Sequence, residues 1–244
     1  MNRMIQYDDR KAARMFDIYA GRQFRRLYAN QRLRLTLLLW SIRTKLMRHM
    51  KRALDLILAS IALLLTAPLM LLTLIAVKLD SPGPALFRQP RVGQWGRSFT
   101  CYKFRSMYID AEQRLQELLA RNEADGPVFK MKHDPRITRV GRFIRKTSLD
   151  ELPQIFNVIK GDMSLVGPRP AIEREVERYT FEQSRRLHAV PGITGLQQVS
   201  GRSDLDFHRW IELDLQYISE QSVWQDIKIL LKTIPAVIWT KGAY

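Results

Sequence analysis

One uncharged run dominates the hydropathy pattern of the chain: Leu56 to Val77, 22 residues without an ionisable side chain. As a helix it would extend roughly 33 Å, the length of a membrane span. Pro68 lies near its middle, where it removes a donor and crowds the carbonyl four residues back, at Leu64, so a kink is expected. The hydroxyl of Thr66 is a candidate partner for a freed carbonyl. Upstream, Leu33 to Ile42 is a shorter apolar run, too short to cross a bilayer. After the long run, Asp80 to Pro84 (D-S-P-G-P) is a turn cluster. Ala85 to Met107 then alternates around Gly93 and Gly96, the pattern of a β-hairpin. Its second strand puts Cys101, Lys103 and Arg105 on one face and Tyr102 and Phe104 on the other.

The second half reads mainly as helices. Asp110 to Ala124 has amphipathic spacing, with Ala111, Leu115, Leu118 and Leu119 on one side, suited to a core or to a bilayer interface. Leu149, Leu152, Ile155, Phe156 and Ile159 recur at helical spacing until Gly161 stops them. Ser148-x-x-Glu151 has the form of a capping box, which predicts a helix starting there with Asp150 and Glu151 in its first turn. Gly167-Pro168-Arg169-Pro170 is a rigid turn holding one arginine between two prolines. Pro191 to Arg202, with Gly192, Thr194, Gly195, Ser200 and Gly201, reads as a mobile loop near a ligand or as a simple connection. Val223 to Trp239 reads as an apolar helix broken at Pro235, with Trp224, Trp239 and Lys241 placed as an interfacial anchor.

Charge changes the meaning of the long apolar run. Residues 1–52 hold 14 Lys or Arg against three Asp, and the net charge of the chain is +16. A sequence pI near 10.3 points to a polyanionic partner: an anionic membrane surface, phosphorylated substrates or nucleic acid. Lys51 and Arg52 precede the run; Lys78, Arg88, Arg91 and Arg97 follow it. Basic flanks on both sides place both ends in the cytoplasm, which a re-entrant helical hairpin satisfies and a straight span does not. A kinked single-pass helix with the N-terminus outside is the competing topology. The expected organisation is a basic N-terminal extension (1–50) lying on anionic lipid, a re-entrant membrane hairpin (51–80) and a catalytic domain (81–244). The fold class is α+β, mainly helical and membrane-monotopic, with interfacial amphipathic helices and a small β-hairpin. The single cysteine, Cys101, excludes an internal disulfide, and His49, His133, His188 and His208 have no metal-ligand spacing.

Candidate chemistry gathers around R-K-T-S-L-D-E-L-P-Q, Arg145 to Gln154. Asp150 and Glu151 follow Arg136, Arg139, Arg142 and Arg145, which recur every third residue and would deliver positive charge to the carboxylate pair. One reading is a helix cap beside a solvated basic stripe. The sharper one is a carboxylate kept ionised among cations, beside a pocket for phosphates.

Five fragments in order carry a resemblance: K-R-A-L-D-L-I-L, D-S-P-G-P, Y-K-F-R-S-M (Tyr102 to Met107), S-L-D-E-L-P-Q (Ser148 to Gln154) and V-G-P-R-P (Val166 to Pro170). Together they resemble the bacterial sugar transferases, the monotopic phosphoglycosyl transferases, over about Lys51 to Tyr244. The resemblance implies transfer of a sugar-1-phosphate from a UDP-sugar to polyprenol phosphate, with Mg²⁺, at the cytoplasmic face of a bacterial inner membrane. It implies Asp150 as the nucleophile that takes the phosphosugar and releases UMP. Glu151 would support the metal or tune its neighbour, so Asp150 and Glu151 are the metal-binding candidates. Lys103, Arg105, Arg145 and Arg169 match positive positions of the family's site, and Arg142 and Arg202 complete the candidate substrate contacts. The partners implied are the UDP-sugar, polyprenol phosphate and anionic membrane lipids, with a homo-oligomer allowed and no nucleic acid expected. Ala67 stands where the family often has serine before the hairpin proline. A non-catalytic protein binding anionic lipid or nucleic acid is the alternative from another class, and general-base catalysis by Asp150 is the alternative within the enzyme reading.

Overall fold

The computed structural model describes residues 31–118, 131, 133–201 and 205–238. By internal contacts the chain falls into two units, residues 1–51 and 52–244. Helix α1 is Gln31–Asp80 and contains Pro68. Within the second unit it buries one stripe, Asp55, Ala59, Met70, Thr73 and Val77, residues that return to one side of a helix. Ile57, Leu64, Leu65, Leu72 and Leu79 on its other sides are exposed. An apolar helix of this length is long enough to cross a membrane.

The chain runs through Pro68 as helix, and no turn separates two arms there. The Thr66 hydroxyl donates to the Ala62 carbonyl at 2.7 Å, so it does not cover the carbonyl of Leu64. A threonine in a helix reaches its own i−4 carbonyl most easily, which decides the partner. Thr73 does the same to Leu69.

Two polar side chains of α1 fasten it to the rest of its unit. Arg52 donates to the Val158 and Ile159 carbonyls at 2.6 and 2.8 Å. These belong to the last turn of α4 (Gln154–Lys160), where carbonyls run short of helical donors; that of Val158 also accepts from the Gly161 N–H at 3.1 Å. Asp55 accepts from the Leu165 N–H at 3.1 Å. The K-R-A-L-D fragment thus joins the apolar helix to the layer that carries the site.

Strands β1 (Leu86–Val92) and β2 (Ser98–Phe104) form the expected antiparallel hairpin, with Gly96 at φ 77 in its turn. Cross-strand pairs Gln89 with Cys101 and Phe87 with Lys103 fix which residues share a face. Cys101 and Phe104 are buried on opposite faces, Cys101 against Ala59, Ile155, Val158 and Met163, and Phe104 against Met70, Val77, Ala85 and Ile144. Asn157, fully buried, joins β2 to α4: its amide donates to the Thr100 carbonyl at 2.7 Å and accepts from the Tyr102 N–H at 3.0 Å. Satisfying both groups of a buried amide fixes the strand that bears Lys103 against the helix that follows Asp150 and Glu151.

Helix α2 is Ala111–Leu118, with Leu115 and Leu118 buried rather than turned outward; Asp110 is in the turn before it, and residues 119–124 of the expected helix lie outside the described residues. Helix α3 (Arg139–Lys146) is capped by the Thr138 hydroxyl, which accepts from Gly141 N–H at 2.9 Å, while Asp80 accepts from Val140 N–H at 3.1 Å. The described part of the Pro191 to Arg202 segment is not a loop. It contains β4 (Gly192–Thr194), parallel to β3 (Ser164–Val166), and the short helix Leu196–Val199. Its glycines are needed for close approach: a Cβ on Gly192 would lie 2.1 Å from the Gly167 nitrogen. Signals read as flexibility therefore reflect tight backbone packing. After the short helices α5 (Glu173–Val176), α6 (Phe181–Ser184) and α7 (Leu196–Val199), helix α8 (Phe207–Ser219) and helix α9 (Val223–Ile238) complete the described chain. Pro235 sits inside α9, where a break was expected. Trp224, Leu231 and Ile234 of α9 are exposed; Trp239 and Lys241 lie outside the described residues.

Candidate active site

Asp150 and Glu151 occupy a 3₁₀ turn, Leu149–Glu151, just ahead of α4. The capping box expected of Ser148 and Glu151 does not form. Ser148 is at φ 58, left-handed, and its side chain caps nothing. Glu151 instead accepts a hydrogen bond from Lys103 Nζ at 2.7 Å. An ion pair across β2 and the 3₁₀ turn has recruited the carboxylate that would have closed the cap. Pro153 precedes α4 and has no N–H to be capped. The left-handed residue at Ser148 turns the chain sharply between α3 and the carboxylates, an unfavourable conformation of the kind that collects at functional sites.

A shallow cleft, open to solvent, lies beside Glu151 of this pair. Arg91, Lys103, Glu151, Gln154, Arg169 and Gln198 line it, with Cys101 at its base. Arg91 shares the Lys103 face of the hairpin through the strand period, since Gln89 and Cys101 are cross-strand partners. Three cations thus face one cleft beside two carboxylates, an arrangement suited to a diphosphate.

The electrostatics separate the two carboxylates. Burial pushes Asp150 up to about 6, and the adjacent Glu151 charge adds to the rise against Lys103, Arg145 and Arg169. Burial alone would raise Glu151 as well, but Lys103, then Arg169, outweigh it and hold Glu151 well below the usual carboxylate range. Asp150 is thus less acidic than an ordinary aspartate despite the surrounding cations, because desolvation and a like charge outweigh them. Asp150 remains mostly ionised at neutral pH while being more basic than an ordinary aspartate. Activity requiring its carboxylate should fall tenfold per unit of pH below about 6 and plateau above it. A pH profile of kcat/KM whose acid limb lies near 4 would contradict this.

The other predicted cations divide. Arg145 lies within electrostatic reach of Asp150, although burial is the larger influence on its own pKa and lowers it. Arg169 is exposed and lines the cleft. Arg105 is used structurally: β2 ends at Phe104, and the buried Arg105 guanidinium donates to the Ser81 carbonyl at 2.7 Å and to that of Pro82. It clamps the D-S-P-G-P turn, where Gly83 has φ 112. Arg136 is buried in an ion pair with Asp134 at 2.7 Å, while Arg139 and Arg142 point to solvent. The three-residue spacing fails to converge because Arg136 precedes α3 and helical rotation carries Arg139 and Arg142 away from Asp150. Arg202 lies outside the described residues.

Residues 46–240 match the family model described as bacterial sugar transferase. The chain belongs to the bacterial sugar transferase family. It is 52% identical over 194 residues to a protein of Streptococcus agalactiae named galactosyl transferase CpsE, covering 79% of this chain and 43% of that one. It is 49% identical over 204 residues to the undecaprenyl-phosphate galactose phosphotransferase of Salmonella typhimurium, covering 81% of this chain and 42% of the relative. A Caulobacter vibrioides protein, UDP-glucose:undecaprenyl-phosphate glucose-1-phosphate transferase, is 43% identical over 204 residues, 80% of this chain and 72% of the relative. The chain spans less than half the length of the first two relatives. In this family member, Arg91, Gln154 and Gln198 are cleft residues that sequence reasoning did not select. The period-two position of Arg91 relative to Gln89 was one available signal, and the place of Gln154 at the end of S-L-D-E-L-P-Q another; Gln198 had none.

Asp150 and Glu151 are the residues that could hold a divalent cation here. Two hard oxygen donors, one of them raised in pKa by the other's charge, form a site whose repulsion a cation would relieve. Among the described residues no group of three or more His, Cys, Asp or Glu forms a metal cluster, so the remaining ligands would come from substrate phosphates and water.

Proposed function

We propose that this protein transfers a sugar-1-phosphate from a UDP-sugar to polyprenol phosphate through a covalent intermediate on Asp150. The observation that carries the reading is Asp150 itself: a half-buried carboxylate with a raised pKa beside a cleft lined by Lys103, Arg91 and Arg169, in a chain whose relatives are named as undecaprenyl-phosphate sugar phosphate transferases. A carboxylate oxygen of Asp150 attacks the phosphorus that bears the sugar. The bond from that phosphorus to the bridging oxygen breaks, and its electron pair leaves with UMP. An oxygen of polyprenol phosphate then attacks the acyl phosphate, the phosphorus–Asp150 bond breaks, and the carboxylate is restored. Neither step requires a proton to be removed from the attacking group. A raised pKa makes Asp150 the better nucleophile, and Lys103, Arg91, Arg145 and Arg169 stabilise negative charge on the phosphoryl oxygens. Mg²⁺, held by Asp150 and Glu151, would neutralise charge on the diphosphate when bound.

General-base catalysis by Asp150 is the weaker alternative. A phosphate monoester has its second pKa near 6 and is already ionised at neutral pH, so a base would have no proton to take. The reaction reading is tested by UMP release from a panel of UDP-sugars with polyprenol phosphate and Mg²⁺. Release with at least one sugar, lost in Asp150→Asn, supports it; none from folded wild type in lipid overturns it.

The site is further proposed to work at the cytoplasmic face of a bacterial inner membrane. The exposed apolar sides of α1 and the exposed Trp224, Leu231 and Ile234 of α9 support lipid contact. In this reading α1, which is continuous helix through Pro68 in the structure, bends there once in the bilayer and returns to the same side, Pro68 having no N–H to hold the helix straight. A tag at residue 1 should then be digested by protease added to sealed inverted vesicles. Its protection would establish a single-pass span instead.

A further inference from the structure

The side chain of Arg169 faces the cleft, but its backbone is held from behind. Pro168 and Pro170 on either side carry no N–H, so this segment is secured through its carbonyls. Each of four consecutive carbonyls has a separate donor. Pro168 accepts from Gly192 N–H at 2.9 Å and Ala171 accepts from Val92 N–H at 2.8 Å. Between them, Arg169 accepts from Arg186 Nη2 at 3.0 Å and Pro170 accepts from Arg91 Nη1 at 2.8 Å.

Arg186 is a costly donor to bury. Its side chain is 1% exposed and forms a 2.6 Å ion pair with Asp214, also 1% exposed. Its Nη1 donates to the Tyr179 hydroxyl at 2.6 Å, and its guanidinium lies 5.2 Å from the centre of the Trp210 ring. A planar fork can reach Asp214, Tyr179 and the Arg169 carbonyl together, which a lysine ammonium cannot do with the same geometry. A buried ion pair of this kind stabilises little relative to an apolar replacement, so its use here points to placement of a neighbour.

We propose that Arg186, fixed by Asp214 and Tyr179, is a positioning residue that sets the Arg169 side chain for the donor diphosphate. The proposal rests on the phosphosugar-transfer reading of the same cleft. It predicts that Arg186 matters through Arg169.

The test is a double-mutant cycle of Arg186→Lys and Arg169→Ala, read as donor kcat/KM by UMP release and, separately, as UDP affinity by calorimetry. Arg186→Lys should lower kcat/KM and UDP affinity by about tenfold in the wild-type background and by less than about twofold when Arg169 is already alanine. Equal losses in both backgrounds would overturn the proposal while leaving the reaction intact, because they would mark a general structural effect. If Arg186→Lys fails to fold, Tyr179→Phe, which removes one hydrogen-bond partner of Arg186, is run through the same cycle with the same criterion. Wild type that releases no UMP is judged on the UDP-affinity cycle alone. Wild type that neither releases UMP nor binds UDP would overturn the reaction reading and this proposal together.

Discussion

Asp150→Asn is expected to reduce UMP release by about 10³-fold or more without reducing the stability of the fold. The amide keeps the shape and burial of the side chain but has no nucleophilic oxygen charge. Stability should move the other way because the Asp150 pKa is raised to about 6 by folding. A carboxyl whose folded pKa exceeds its unfolded value binds protons more tightly in the native state. Its ionisation therefore opposes folding, and the opposition grows as pH rises from about 4 to about 6. Asparagine removes the effect, so the variant should melt at the same temperature as wild type or higher at pH 7.5. A variant that is inactive because it is unstable would contradict both halves of this argument. Thermal melts and UMP assays on one preparation separate them.

Lys103→Met should lower kcat/KM by about 10²-fold and shift the acid limb of the pH profile upward. Lys103 bonds Glu151 at 2.7 Å, and after burial it is the largest influence on Glu151 and one that holds its pKa down. Removing the ammonium leaves the Glu151 charge beside Asp150 without its nearest counter-ion and withdraws a cation that also lowers the Asp150 pKa. At neutral pH a smaller fraction of Asp150 is then ionised, and one phosphate-facing cation is missing. Lys103→Arg should restore part of the activity and return the limb toward 6. A lowered rate with an unmoved limb would mean that Lys103 contacts substrate but does not tune the carboxylates.

The same two residues show what was legible in the sequence. The hairpin, the stop at Gly161 and the rigid turn around Arg169 were readable because alternation, glycine punctuation and paired prolines act locally. Lys103 was placed correctly because strand period survives without knowledge of the tertiary fold. Arg105, two residues on, was misplaced because the strand ends at Phe104 and the side chain turns back to the Ser81 and Pro82 carbonyls. Ser148 and Glu151 satisfy the local grammar of a cap, yet Lys103, 48 residues away, takes the carboxylate. The arginine stripe failed for a similar reason: Arg136 is captured by Asp134, and of the four it is Arg145 whose charge lowers the Asp150 pKa. Arg186 could not be found at all, since nothing in R-R-L-H indicates that it meets Asp214 and the Arg169 carbonyl. Local chemistry is written in sequence; long-range pairing is decided by packing.

The central claim is that Asp150 carries the phosphosugar, and intact-protein mass spectrometry tests it most directly. The lipid-reconstituted protein would be incubated with Mg²⁺ and its active UDP-sugar in the absence of polyprenol phosphate. The account predicts an added mass of one sugar phosphate on the protein, mapped to Asp150, with an equal amount of UMP released, and loss of the adduct when polyprenol phosphate is supplied. UMP release that depends entirely on the lipid acceptor, with no adduct under conditions that support turnover, would contradict it.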